Sequence, residues 1–92
     1  MFKYTGKTVF ITGGSSGIGK ACALMFSKYG ANVVIAARRE KESYEIIEQI
    51  IEQGRQALFV KTDVSDSNSI KSAIKTSADA FGGIHFAINN AG

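Results

Sequence analysis

The sequence predicts an α/β domain, a parallel sheet doubly wound by helices, with elements in the order β-α-β-α-β-α-β. Three observations predict it. Short apolar runs rich in β-formers alternate with helical-period segments along the whole 92 residues. The apolar runs show no polar alternation, as in strands buried on both faces of a parallel sheet. A glycine cluster separates the first run from the first helical segment.

Each element has a local reason. Thr8-Val9-Phe10-Ile11 is a strand that stops at Thr12-Gly13-Gly14-Ser15-Ser16-Gly17, a stretch unsuited to regular structure. From Ile18, apolar residues recur at Ala21, Cys22, Met25, Phe26 and Tyr29, the spacing of one helix face, with Gly30 as terminator. Val33-Val34-Ile35-Ala36 is the second strand. A helix from about Glu40 to Gln53 turns Tyr44, Ile47, Ile50 and Ile51 inward and ends at Gly54; Glu40 and Glu42 suit the positive end of its dipole. Ala57-Leu58-Phe59-Val60 is the third strand. Asp66 or a neighbouring serine caps a third helix whose inner positions are Ile70, Ala73, Ile74, Ser77 and Phe81. Ile84 to Ile88 is the fourth strand. Right-handed crossovers place the first two helices on one face; a reversal after the third strand puts the third helix on the other, with strand order 3-2-1-4. That second face would carry a single helix, as if the sheet were truncated.

Composition excludes several classes. The chain is 45% hydrophobic and 21% charged, ordinary values for a folded domain, and residues 1–92 amount to one domain or part of one. Cys22 is the lone cysteine and His85 the lone histidine, which excludes an internal disulfide and multi-histidine or zinc sites and points to a reducing, cytoplasmic setting. No apolar run approaches the roughly 20 residues of a membrane span. Met1 to Tyr4 runs directly into the first strand, leaving no room for a signal sequence. The net charge of +3 is mild and dispersed except at Arg38-Arg39, so nucleic-acid binding is not indicated.

The glycine loop is the most informative segment. Glycines permit positive φ and let a phosphate approach the backbone, and the helix starting near Ile18 offers its N–H groups and dipole to an anion. The same residues nearly spell a P-loop, Gly14-Ser15-Ser16-Gly17-Ile18-Gly19-Lys20, but Ala21 stands where the magnesium-binding hydroxyl belongs. That disfavours a P-loop NTPase, which stays the lesser alternative.

Thr12-Gly13-x-x-x-Gly17-Ile18-Gly19, Asp63-Val64 after the third strand and Asn89-Asn90-Ala91-Gly92 after the fourth resemble the short-chain dehydrogenase/reductase family of the classical type. Gly6-Lys7 and Phe81-Gly82 are also similar to that family, and the likeness covers the whole chain. It implies a Rossmann-type fold in which Gly13, Ser15, Ser16, Gly17 and Ile18 wrap a dinucleotide's pyrophosphate and the adjoining ribose. It further implies that Asp63 and Val64 bracket the adenine, that Asn90, Ala91 and Gly92 line the nicotinamide-side ribose, and that Asn89 or Asn90 ties strand four to its neighbours. A strand-end turn is the alternative role for Asp63, and a purely structural one for the asparagines. His85, where the family commonly carries an acid, is read as a strand-entry residue, and Cys22 as packing.

The end of the second strand bears on cofactor choice. An acid there accepts from the ribose 2′-hydroxyl of NAD, whereas an arginine accommodates the 2′-phosphate of NADP. This chain has Ala37 and then Arg38-Arg39, which favours NADP(H) over NAD(H). The arginines have an alternative, pairing with Glu40 or Glu42 as solvated side chains.

The resemblance implies hydride transfer between the nicotinamide and a carbonyl, alcohol or enoyl substrate, by a tyrosine with a lysine four residues on. Here Tyr4, Tyr29 and Tyr44 are followed at that position by Thr8, Val33 and Glu48. The expectation is therefore an N-terminal cofactor-binding portion, inactive alone, from a protein that is a homo-oligomer at full length. The alternative is a non-catalytic nucleotide-binding or interaction module. An exposed fourth strand leads us to expect the isolated chain to self-associate.

Overall fold

The computed structural model describes residues 3–13 and 17–90. Seven elements follow in the expected order: β1 (Thr8–Thr12), α1 (Gly17–Lys28), β2 (Asn32–Ala37), α2 (Glu40–Glu52), β3 (Ala57–Lys61), α3 (Ser67–Phe81) and β4 (Phe86–Asn89). All strand pairs are parallel, in the order β3-β2-β1-β4.

Successive residues of a strand point to opposite faces, so an unbroken apolar run feeds two cores. Val9, Ile11, Val33 and Ile35 pack with Ala23 of α1 and Ile46, Ile47 and Ile50 of α2. Phe10, Val34 and Ala36 pack on the other face with Ala73 of α3. The central strands β1 and β2 are buried almost throughout, whereas β3 and β4 are the part-exposed edges. The third helix thus lies opposite the first two, as the reversal of winding requires.

The helix faces differ from the sequence reading. In α1 the inward stripe is Gly19, Ala23 and Ser27, while Ala21, Met25 and Tyr29 are exposed and Cys22 and Phe26 half-buried. Small side chains four residues apart let the helix backbone approach the sheet, and that closeness outweighs turning the bulkier stripe inward. The buried Ser27 hydroxyl is satisfied by donating to the Leu24 carbonyl at 2.8 Å. In α2, Ser43, Ile46, Ile47 and Ile50 are buried, whereas Tyr44 and Ile51 are 51% and 54% exposed. Tyr44 lies edge-on to Phe59 of β3 at a centroid distance of 5.0 Å, covering that sheet edge from outside.

In α3 only Ala73 and Ser77 of the expected face are fully buried. Ile70 and Ile74 line a cleft beside β4 instead, because no second helix stands on that part of the sheet among the described residues. Asp66 caps α3 as expected, its carboxylate accepting from the Asn68 N–H at 2.9 Å. β4 starts at Phe86 rather than Ile84. Ile84 packs into the α3-side core. The His85 N–H donates to the Thr8 carbonyl at 2.9 Å, and His85 Nδ1 accepts from the Thr8 N–H at 3.0 Å. The imidazole thus supplies an acceptor to a strand N–H that would otherwise lack one at the mouth of the sheet.

Candidate functional site

The carboxyl ends of the four strands converge on one edge of the domain, and most of the sequence-predicted site residues lie there. Between β1 and β4 the winding reverses, which opens a crevice at the strand ends. Gly13 and Gly17, flanking the turn into α1, have φ of 66° and 56°. A Cβ at Gly17 would meet no atom within 4 Å, so backbone conformation, not crowding, is what demands glycine there. Ile18 is 72% exposed in the first turn of α1. Ser15, Ser16, Ala91 and Gly92 lie outside the described residues.

Hydrogen bonds tie the two ends of the motif together. Asn90 Nδ2 donates to the Gly13 carbonyl at 3.0 Å, and the Asn90 N–H to the Thr12 carbonyl at 3.2 Å. The Thr12 hydroxyl donates to Asn89 Oδ1 at 2.9 Å, and the Gly13 N–H to the Ala36 carbonyl at 3.0 Å. The start of the glycine turn is therefore held from both neighbouring strands. Asn89 and Asn90 have a structural role in the chain whatever else they touch.

At the end of β2, Ala37 is buried and Arg38 and Arg39 are exposed. The Arg39 backbone precedes α2, and its carbonyl accepts from the Ser43 hydroxyl at 2.6 Å. Neither Arg38 nor Arg39 is joined to Glu40 or Glu42, and Glu40 pairs with Lys61 instead. Pairing of the arginines with Glu40 or Glu42 is thus not what the chain adopts.

Asp63 follows β3. Ser65 donates to Asp63 Oδ1 twice, from its hydroxyl at 2.6 Å and its N–H at 3.0 Å. These bonds, with the positive charge of Arg38, hold the carboxyl below its ordinary range. Both fall on one oxygen, and Oδ2 carries no bond among the described residues. Val64 lines a largely apolar cleft of about 300 Å³ together with Phe10, Thr12, Ile74, Ile88 and Asn89.

This edge provides donors from a helix start, exposed cations and an ionised acceptor beside an apolar wall, which suits a phosphate-bearing ligand with a flat polar ring. A dinucleotide fits these residues: positive-φ glycines ahead of α1 for a pyrophosphate, cations at the end of β2 and a carboxylate acceptor at Asp63. Among the described residues no cluster of His, Cys, Asp or Glu is fit to hold a metal, and no helix is long and apolar enough to cross a membrane.

The expected tie from strand four to its neighbour is made by both asparagines, Asn89 with Thr12 and Asn90 with Gly13. Sequence reasoning missed two contributors. Ser65 holds Asp63, and the Asp-x-Ser spacing of an Asx turn signals it. Lys61 reaches Glu40, a long-range pair with no local signal.

A reversed parallel sheet with a glycine turn leading into its first helix defines a domain of Rossmann type. Residues 7–92 match the family model described as short chain dehydrogenase, and the chain belongs to that family of oxidoreductases. An uncharacterized oxidoreductase of Thermotoga maritima is 42% identical over 86 residues, covering 94% of this chain and 34% of the relative. The citronellol catabolism dehydrogenase of Pseudomonas aeruginosa PAO1 superposes with a TM-score of 0.93 at 30% identity, over 99% of this chain and 38% of that one. A short chain dehydrogenase/reductase from Burkholderia phymatum, solved in complex with NAD, gives a TM-score of 0.88 at 30% identity, over 95% of this chain and 31% of that one. The chain spans about a third of the length of these relatives.

Proposed function

We propose that residues 1–92 form the N-terminal, cofactor-binding part of a single NAD(P)-binding domain in an NADP(H)-dependent short-chain oxidoreductase. The cofactor would supply hydride, exchanged with a carbonyl, alcohol or enoyl substrate. In this reading Gly13, Ser15, Ser16, Gly17 and Ile18 bind the pyrophosphate and neighbouring ribose. Asp63 and Val64 flank the adenine, the carboxylate accepting from its exocyclic amine, and Asn90, Ala91 and Gly92 border the nicotinamide-side ribose. The whole protein is a homo-oligomer, and this chain alone self-associates.

One observation supports the NADP(H) preference above others. β2 ends at Ala37, where an NAD-selecting acid would stand, with two exposed arginines directly beyond it, so two guanidiniums stand ready to bond a 2′-phosphate. A hydrogen bond to a charged group contributes about 1.5–3 kcal/mol, or roughly ten- to hundredfold in affinity. Fluorescence titration with NADPH and NADH tests the reading. NADPH binds more tightly, and Arg38→Asp removes most of the difference; equal or reversed affinities in the wild-type chain reject it.

A second reading, a nucleotide-binding module without catalysis, is favoured by one feature. None of Tyr4, Tyr29 and Tyr44 has a lysine four residues on. A longer transcript encoding such a pair decides for the oxidoreductase.

A further inference from the structure

We infer that Glu40 and Lys61 form a charge-compensating pair that sets selectivity for the cofactor's 2′-phosphate, an inference resting on the NADP(H) reading above. Glu40 opens α2 three residues after Ala37, so it places an exposed carboxylate beside the strand end where a 2′-phosphate would be received. An acid has a local reason to be there, since it stabilises the positive end of the helix dipole. Left bare, the same acid would repel a phosphate carrying between one and two negative charges near neutral pH, a cost in selectivity set against a gain in helix stability.

Lys61 resolves the conflict. It is the last residue of β3 and the Cα partner of Ala37 in the parallel register. From that position Lys61 Nζ reaches Glu40 Oε1 at 3.4 Å. The Lys75–Asp79 pair, by contrast, spans one turn of a single helix. Lys61–Glu40 instead bridges the end of β3 and the start of α2, straddling the end of β2. Both side chains are exposed, so the pair adds little to stability, and its main consequence is the charge it presents. With Glu40 neutralised, Arg38 and Arg39 act on the phosphate unopposed.

The test uses the 92-residue chain with 2′,5′-ADP and 5′-AMP, probes that differ by the 2′-phosphate alone. Affinities are read by NMR titration at low ionic strength. One uncompensated unit charge at a partly screened surface changes affinity about three- to tenfold. The wild-type chain prefers 2′,5′-ADP. Lys61→Gln lowers that preference by about this factor and Lys61→Arg keeps it. Glu40→Gln raises it, and the double variant Glu40→Gln/Lys61→Gln, whose pair is again neutral, returns to the wild-type value. A wild-type preference that Lys61→Gln leaves unchanged, or that the double variant fails to restore, overturns the pair's role and leaves the NADP(H) reading standing. Equal binding of the two probes by the wild-type chain, or none, overturns that reading and the pair with it.

Discussion

Asn90 Nδ2 donates to the Gly13 carbonyl across 77 residues of sequence, at 3.0 Å. The bond joins the residue after β4 to the first positive-φ glycine after β1, so the glycine turn takes its position from the far end of the chain. Asn90→Ala removes the donor. We expect a loss of about 1 kcal/mol, the net worth of one such bond, seen as a fall in melting temperature of about 4–8 °C. On the proposed reading, affinity for NADPH falls with it, since Gly13 is no longer held from β4. An Asn90→Ala chain with unchanged melting and binding would show that the β1 and β2 contacts hold the turn unaided.

Asp63 gives a prediction in pH. Its carboxyl ionises below the ordinary 3.8 because the Ser65 hydroxyl and N–H bond to the charged form, with Arg38 adding attraction. The folded value is depressed, so the contribution to stability is present above about 3.8 and is lost as pH falls through the lower folded value. Ser65→Ala removes the first and largest of these causes. The Asp63 carboxyl then titrates closer to its ordinary value in carbon-detected NMR, and the acid limb of unfolding shifts to higher pH. No movement of the Asp63 titration in Ser65→Ala would place the cause elsewhere.

The strand order and the sidedness of the helices were legible in the sequence because unbroken runs such as Val33 to Ala36 have one physical solution, burial on both faces. The inward helix faces were less so. Gly19, Ala23 and Ser27 carry almost no hydrophobic signal, yet small size decides which stripe meets a sheet, whereas bulky Met25 and Tyr29 stand exposed. At the site, Gly13 and Gly17 were readable from local chemistry, and Asp63 from the family resemblance. Partnerships such as Thr12 with Asn89, Thr8 with His85 and Glu40 with Lys61 depend on strand register, which only the assembled sheet fixes.

The described tyrosines predict what the chain does not do. Tyr4 sits in a ring cluster with Phe26, Tyr29 and Phe86, and Tyr44 lies against Phe59. Each is engaged in packing, and none has a lysine four residues on, the spacing the family's catalytic pair requires. We therefore expect the 92-residue chain, if it binds cofactor as proposed, not to turn it over. NADPH consumption against a panel of aldehydes and ketones stays at background. Reproducible consumption that co-purifies with the chain would require a proton donor other than these tyrosines.

The last prediction concerns β4. Among the described residues its one strand partner is β1, so its outer row of N–H and C=O groups lies at the edge of the sheet. Edge strands are usually protected by lysine, proline, a bulge or a covering element, and Phe86-Ala87-Ile88-Asn89 has neither of those residues. Phe86 is 37% exposed, Ala87 is exposed, and the cleft lined by Ile70 and Ile74 continues the apolar surface on the α3 side. β3, the opposite edge, ends in Lys61 and is flanked by Tyr44, so it is the less available of the two. We therefore expect association through β4, with sedimentation coefficients that rise with concentration and a urea midpoint that rises too, because assembly stabilises the folded form by mass action. Ala87→Lys adds a charge to the exposed edge at a position whose side chain faces the cleft, and it shifts the population towards monomer without loss of secondary structure. A wild-type monomer at every concentration, with a cooperative transition of several kcal/mol, would mean that four strands and three helices bury enough to stand alone.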